Sequence, residues 1–237
     1  MEKEMNYTKQ EFDEFAQDYR SIHTQTIGEV SGVDSDYFSK YKIELIVEKN
    51  KDKAILDWLD LGCGDGNSAI FVKEFFPMCR YEGIDVSADS IDVAKQRKLE
   101  GCSFQTYDGK IIPYEDNKFD VVFLACVLHH IPRTEYSNLL KECRRVLKAD
   151  GKIIIFEHNP VNPITQKIVK DCVFDRDAVL IKAGLLKRYL TEAGFIQPRI
   201  RYSIFFPRKS IFKRLVFLEK ILEWCVLGGQ YWIECKK

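Results

Sequence analysis

The chain has no net charge, no long apolar run, no paired cysteines and no repeat, and each absence removes a class of protein. Its 36 Lys+Arg are matched by 36 Asp+Glu. No global field is available to hold a phosphate backbone, so no nucleic-acid partner is expected. No uninterrupted apolar stretch is long enough to cross a bilayer. The start, Met1-Glu2-Lys3-Glu4, is charged where a secretory signal would be apolar, so no leader is expected. Eight cysteines are scattered without a C-x-x-C pair. That spacing argues against a zinc finger and for reduced thiols in a cytoplasmic protein. Cys126 and Cys143 sit within apolar periodicity and read as small core residues. Neither a repeat nor a Pro/Gly-rich linker divides the 237 residues, and 46% hydrophobic content can fill one core. A single domain is therefore expected over residues 1–237.

What is present is an alternation. Residues 1–50 read as a helical lid, with Phe12, Phe15 and Tyr19 at helical spacing. Strand signals follow at Ala54–Leu61, Arg80–Val86, Ser103–Tyr107, Phe119–Cys126 and Lys152–Phe156, separated by helices at Asn67–Phe76, Ser90–Leu99 and Glu135–Leu147. Helices of this length between strands imply parallel pairing through right-handed crossovers. The chain thus reads as an α/β, Rossmann-like, doubly wound and mostly parallel sheet, with a core at 54–157. Residues 157–180 hold two prolines and little periodicity and read as a substrate-side insertion. In 181–237 a helix at Lys182–Ala193, a strand near Arg199–Phe205, a helix at Ser210–Trp224 and a strand at Gln230–Glu234 predict a hairpin-like antiparallel edge.

The most informative segment is Asp60-Leu61-Gly62-Cys63-Gly64-Asp65-Gly66, at the junction of the first strand and the next helix. Gly62 and Gly64 lack a Cβ, so the backbone can turn sharply and approach a ligand. The third glycine comes one residue too early for the dinucleotide spacing G-x-G-x-x-G, which presents a helix N-terminus to a pyrophosphate. S-adenosylmethionine has no phosphate, and its ammonium suits a carboxylate such as Asp60. Asp85 ends the second strand in Ile84-Asp85-Val86, where an acid can accept both ribose hydroxyls. Asp108 follows the third strand in Tyr107-Asp108-Gly109, placed for the adenine amino group. Each acid alone could be a helix cap or a turn residue; the three in order define one crevice.

On these residues the chain resembles the class I S-adenosylmethionine-dependent methyltransferases. Phe119-Asp120-Val121-Val122 and Leu147-Lys148-Ala149-Asp150-Gly151-Lys152 extend the likeness, which is firm over residues 54–157. It implies a sheet of about seven strands with the last antiparallel, and S-adenosylmethionine lying across the ends of strands one to four. It also implies that Gly62 and Gly64 line the methionine moiety and that Ala125–Cys126 contact the cofactor through the backbone. The expected cofactor set is Asp60, Gly62, Cys63, Gly64, Asp85, Val86, Asp108, Gly109 and Cys126, with Tyr19 reaching in from the lid.

Methyl transfer needs chiefly alignment, with a base mattering for a hydroxyl acceptor. Candidate catalytic residues are His129 and His130 after strand four and Glu157, beside His158, after strand five. A packing or capping histidine is the bland alternative. A metal held by Cys126, His129 and His130 lacks a fourth ligand, and no metal is expected. Asn159-Pro160-Val161-Asn162-Pro163 reads as a substrate-side loop or a rigid turn into a helix. Residues 208–222, with Arg208, Lys209, Lys213 and Arg214 among apolar neighbours, suit weak contact with an anionic membrane or packing on the sheet. The expected activity is methylation of a small-molecule acceptor, most readily a hydroxyl oxygen, releasing S-adenosylhomocysteine. A non-catalytic S-adenosylmethionine sensor and a protein or nucleic-acid methyltransferase are the alternatives. Oligomeric state does not follow from the sequence.

Overall fold

The computed structural model describes residues 35–50, 54–172, 175, 177–207 and 210–237. A first helix, α1 (Ser35–Lys49), precedes the alternating core of β1 (Asp57–Leu61), α2 (Asn67–Phe75), β2 (Arg80–Asp85), α3 (Ala88–Gln96), β3 (Cys102–Thr106), β4 (Phe119–Ala125), α4 (Tyr136–Val146) and β5 (Leu147–His158). There follow α5 (Pro163–Asp171), α6 (Ala183–Glu192), β6 (Ile196–Ser203), a 3-10 stretch at Ser210–Leu218 leading into the short α7 (Glu219–Leu222), and β7 (Gln230–Lys236).

The seven strands form one sheet in the order β3-β2-β1-β4-β5-β7-β6. The pairs among β1 to β5 are parallel. β7 runs antiparallel to both β5 and β6. The expected hairpin is present, but its last strand lies inside the sheet and β6 forms the edge. Because strand side chains alternate in direction, each strand feeds two cores. Leu59, Leu61, Val122, Leu124, Ile153 and Ile155 pack beneath α4 and α6. Trp58, Tyr81, Val121, Phe123, Ile154 and Phe156 pack beneath α1, α2 and α3. Phe156 stacks on Trp232 with ring centroids 5.3 Å apart, joining β5 to β7. Covered faces on both sides explain the nearly continuous apolar runs of β4 and β5.

Three expectations shift. β5 begins at Leu147, five residues earlier than the apolar run suggests, and its register slips against β4 between Phe119 and Val121, so Asp150-Gly151 forms an irregularity within a strand. The insertion at 157–180 contains a helix. Asn162 caps α5 by accepting from the N–H groups of Ile164 and Thr165 at 2.9 and 3.0 Å, and Pro163 takes the first turn, where no N–H is needed. Asn159 donates to the carbonyls of Val226 and Gly228 at 2.8 and 2.7 Å. The Asn-Pro segment is thus a turn fastened to the chain before β7. Ser210–Trp224 is a 3-10 stretch and one short α-turn where a continuous helix was expected. Its interior is pinned by Glu219, which accepts from the Tyr41 hydroxyl at 2.6 Å and from the backbone N–H groups of Phe205 and Phe206.

At the amino end of the sheet, Asp57 is buried and ion-paired to Arg80 at 2.5 Å and Lys148 at 2.8 Å. Lys148 also reaches Asp120 at 3.0 Å. Burial alone would raise the Asp57 carboxyl, but Lys148 and Arg80 outweigh it and hold it below its ordinary range. Asp57→Asn is expected to cost about 2 kcal/mol, since it leaves two cations short of a partner while Lys148 keeps Asp120 and some solvent. The difference from wild type should be full near neutral pH and shrink as the pH falls through the acid range, where Asp57 protonates. Thermal melts of both proteins across pH test this.

Candidate active site

The carboxyl ends of β1 to β5 gather the expected residues, because parallel strands deliver their following turns to one edge. After β1 the chain passes through three left-handed glycines, Gly62, Gly64 and Gly66, with φ of 77°, 52° and 74°. Their surroundings assign them different work. A Cβ on Gly62 would lie 2.5 Å from Val127, so this glycine admits the loop after β4. On Gly66 it would meet Phe104 at 2.9 Å, where α2 starts against β3. On Gly64 it would meet no described atom within 4 Å. Gly64 is thus the glycine that leaves space for a ligand.

Asp85 ties two turns together. Its Oδ2 accepts from Gly64 N–H at 2.8 Å and its Oδ1 from Ser87 N–H at 3.0 Å. A carboxylate offers about four acceptor sites, so one acid can serve both turns at once. Ser87, and not Asp85, caps α3, accepting from Ser90 N–H. Asp65 is clamped by Arg97, whose Nη2 lies 2.7 Å from Oδ2. Asp108 is exposed, and its Oδ1 accepts from the N–H groups of Ile111 and Lys110, which hold its carboxyl below the usual range. Gly109, with φ 78°, lies against Val86, so those two expected cofactor residues are neighbours. Cys63 is buried in the core beneath β1, and burial pushes its thiol up.

Asp60 is 1% exposed and accepts a very short hydrogen bond from the Tyr81 hydroxyl. Burial raises its carboxyl to about 7, against the pull of Tyr81, while Asp85 adds repulsion and Lys42 attraction. A cationic ligand group nearby would favour the ionised form.

Cys126 departs from the expectation of an inert core residue. It follows β4 in the left-handed region, φ 61°, a conformation that costs a non-glycine residue roughly 1–2 kcal/mol. Its Sγ lies 3.7 Å from Lys42 Nζ and 3.6 Å from Gln230 Nε2. Burial alone would raise the thiol, yet Lys42 and His158 outweigh it and bring it down to about 7. Cys143, by contrast, is wholly enclosed and burial pushes its thiol up.

Beyond β4 and β5 lies a buried polar cluster. Glu157 is fully enclosed; its Oε1 accepts from Leu128 N–H at 2.8 Å and Val127 N–H at 3.2 Å, and its Oε2 lies 2.6 Å from His129 Nδ1. The His129 ring lies tilted, its centroid 4.1 Å from that of His130 and 5.2 Å from that of His158. Asp175 Oδ1 lies 3.4 Å from the Nε2 of both His129 and His130. Burial would lower the His129 imidazole, but Glu157 and Asp175 hold it well above its ordinary range. Burial and the neighbouring His129 push His130 down to about 3. His129, His130 and Asp175 are also the group of side chains placed to share a metal ion, their donor atoms all within 4.8 Å.

Tyr19 lies outside the described residues, as do Arg208, Lys209 and the side chain of Lys213. Tyr37 stacks on Tyr41 of its own helix. Three contributors escaped sequence reading. Lys42 hides in the apolar stripe of α1, Tyr81 reads as a core aromatic, and Asp175 lies in an insertion with no periodicity; none carries a local signal. Among the described residues no helix is long and apolar enough to cross a membrane.

A sheet of this order, with a glycine turn after its first strand and acids at the next two strand ends, defines a Rossmann-like nucleoside-binding enzyme of the methyltransferase type. Residues 52–194 match the methyltransferase domain family, and the chain belongs to it as a class I S-adenosylmethionine-dependent methyltransferase. It is 33% identical over 131 residues to a demethylmenaquinone methyltransferase of Thermotoga maritima, covering 55% of this chain and 54% of the relative. The chain spans little more than half the length of the first curated relatives it matches. A methyltransferase from Archaeoglobus fulgidus superposes with a TM-score of 0.66 at 19% identity, over 86% of this chain and 95% of that one. Phosphoethanolamine N-methyltransferase 2 of Haemonchus contortus, solved with S-adenosyl-L-methionine, superposes with a TM-score of 0.64 at 18% identity, over 99% and 58%. S-adenosylmethionine is the cofactor, and the open space beside Gly64, whose N–H Asp85 accepts, leaves room for it.

Two outcomes are expected. Gly64→Ala should cost roughly 1–2 kcal/mol in a thermal melt, the strain of a Cβ at φ 52°, since nothing described blocks the methyl group, yet it should sharply weaken S-adenosylmethionine binding in calorimetry. If the ionised form of Asp60 is the one that receives the ligand's ammonium, affinity should rise with pH up to about 7 and then level. Binding would then be roughly tenfold weaker at pH 6 than at pH 8. Asp60→Asn should flatten that dependence.

Proposed function

We propose that this enzyme methylates a hydroxyl oxygen of a small-molecule acceptor, seated between the loop after β4, the end of β5 and the insertion at 157–180. The observation that carries this is the His129–His130–Glu157–Asp175 cluster at the edge of the sheet that also holds the glycine turn. It places polar groups that can hydrogen-bond and orient a neutral hydroxyl beside the cofactor edge. S-adenosylmethionine, when bound, supplies a methyl group on a sulfonium. Asp85 and Asp108 orient its nucleoside half, and Gly64 leaves room for it. Cys63, Val86, Gly109 and Cys126 flank it at the strand ends.

The burial pattern separates the three candidate catalytic residues. Glu157, enclosed and saturated by two backbone N–H groups and His129, is a positioning residue. It aims His129 and shapes the turn at Val127 and Leu128. The His129 side chain is likewise sealed, at 1% exposed, whereas that of His130 is 16% exposed. His130 is therefore the group of the pair that meets an acceptor and orients it. The balanced net charge and the matching to a relative named for a small-molecule reaction favour a small acceptor over protein or nucleic acid. A cytoplasmic setting accords with the eight free thiols.

A second feature favours a membrane-associated or apolar acceptor. Phe217, Ile221 and Trp224 are 66, 64 and 77% exposed, and Leu215, Val226 and Leu227 continue the same stretch. A sequence-contiguous apolar surface of this kind suits contact with lipid or an apolar substrate, with the exposed Arg214 at its edge.

The test is release of S-adenosylhomocysteine over a panel of phenols, alcohols and amines, with and without vesicles. Turnover confined to hydroxyl acceptors is expected, and His130→Ala should lower kcat by about 10²-fold while leaving S-adenosylmethionine affinity near wild type. Turnover on amines alone, or only on protein or RNA, would overturn the reading. Asp85→Ala should remove cofactor binding and turnover together.

A further inference from the structure

We propose that His129 Nε2, His130 Nε2 and Asp175 Oδ1 form a binding site for a divalent transition-metal ion, zinc or one of similar size, with a fourth position taken by water or by an oxygen of the acceptor. The argument is geometric. Asp175 Oδ1 lies 3.4 Å from each imidazole nitrogen, and all three donor atoms fall within 4.8 Å of one another. Separations of 3.4 Å are long for a charge-assisted hydrogen bond. They are close to the edge of a tetrahedron around an ion that binds nitrogen and oxygen at about 2.0–2.1 Å, an edge of roughly 3.4 Å. His129 Nε2 is buried and makes no hydrogen bond in good geometry.

The surroundings supply what a bound histidine requires. His129 turns its other nitrogen, Nδ1, to Glu157 at 2.6 Å, and Glu157 is itself fixed by the N–H groups of Val127 and Leu128. A carboxylate behind the ligating imidazole sets its tautomer and orientation and increases its basicity. The backbone adds a further tie, since Val179 N–H donates to the His129 carbonyl at 2.9 Å. Two imidazoles and one carboxylate, with one position left to a small ligand, is a donor set suited to zinc or iron(II) and poorly suited to calcium or magnesium. Binding displaces any proton on His129 Nε2 to solvent and joins the insertion carrying Asp175 to the loop after β4. An acceptor hydroxyl on the fourth position would lose its proton more readily. That catalytic use rests on the hydroxyl reading above; the site itself does not.

The probe is Co2+, titrated into full-length protein freed of metal by chelator. The expected result is one equivalent bound, with visible d–d bands of a four- or five-coordinate ion, no near-ultraviolet thiolate charge transfer, and displacement by Zn2+. Asp175→Asn and His130→Ala should lose the bands, and Glu157→Gln should weaken binding by about tenfold or more. Cys126→Ser should retain them. Circular dichroism and S-adenosylmethionine calorimetry on the same samples report the fold and the crevice. An Asp175→Asn protein that folds and binds S-adenosylmethionine but not Co2+ would isolate the metal site. Absence of stoichiometric Co2+ binding by wild type would overturn the proposal. So would bands that survive in Asp175→Asn, or thiolate charge transfer abolished by Cys126→Ser. Stoichiometric Co2+ on wild type without methylation of any hydroxyl acceptor would support the site while removing its catalytic use.

Discussion

A carboxylate withdrawn from water must find donors, and Asp60, Glu157 and Asp175 each find theirs on a distant segment of chain. Asp60 takes the Tyr81 hydroxyl from β2. Glu157 takes two backbone N–H groups and an imidazole from the loop after β4. Asp175 faces both histidines of that loop. The carboxyl edge of the sheet is therefore held in place by charge that cannot return to solvent, while the apolar layers hold the rest. Removing a donor would leave a buried charge unpaired, a larger penalty than the pair's own net contribution. Such a lattice keeps the loop after β4 in one conformation without a helix or strand to brace it.

The same edge divides into two halves of different chemistry. On the β2–β3 side the acids are half-buried or exposed and serve backbone turns: Asp85 takes two backbone N–H groups and Asp108 those of its own turn. On the β4–β5 side the acids are sealed and act on imidazoles. Cys126 stands at the border, in a left-handed conformation, with Lys42 from α1 and Gln230 from β7 on its sulfur. Backbone strain kept at a junction between two sites is held there by the packing around it.

Much of the cofactor half was legible in the sequence because its signals are local. Asp85 ends its strand and Asp108 follows the next, and Gly62, Gly64 and Gly66 stand in one seven-residue segment, so strand periodicity and turn chemistry place them without knowledge of any distant partner. Even there, packing decided the division of labour: Val127 requires Gly62 and Phe104 requires Gly66, and spacing along the chain contains neither contact. Cys126 has the periodicity of a core residue, and only the fold brings Lys42, 84 positions earlier, to its sulfur.

By itself the sequence determined the fold class, the parallel core, the glycine turn and the order of the acids, because each follows from short-range periodicity and backbone freedom. Only the tertiary structure decided that β7 enters between β5 and β6, that Asn159 and Asn162 anchor a turn and a helix, and that Asp175 joins His129 and His130. Those outcomes depend on contacts across 27 to 84 residues of chain. At such separations burial and the demand for hydrogen-bond partners choose the neighbour, and local propensity carries no record of the choice.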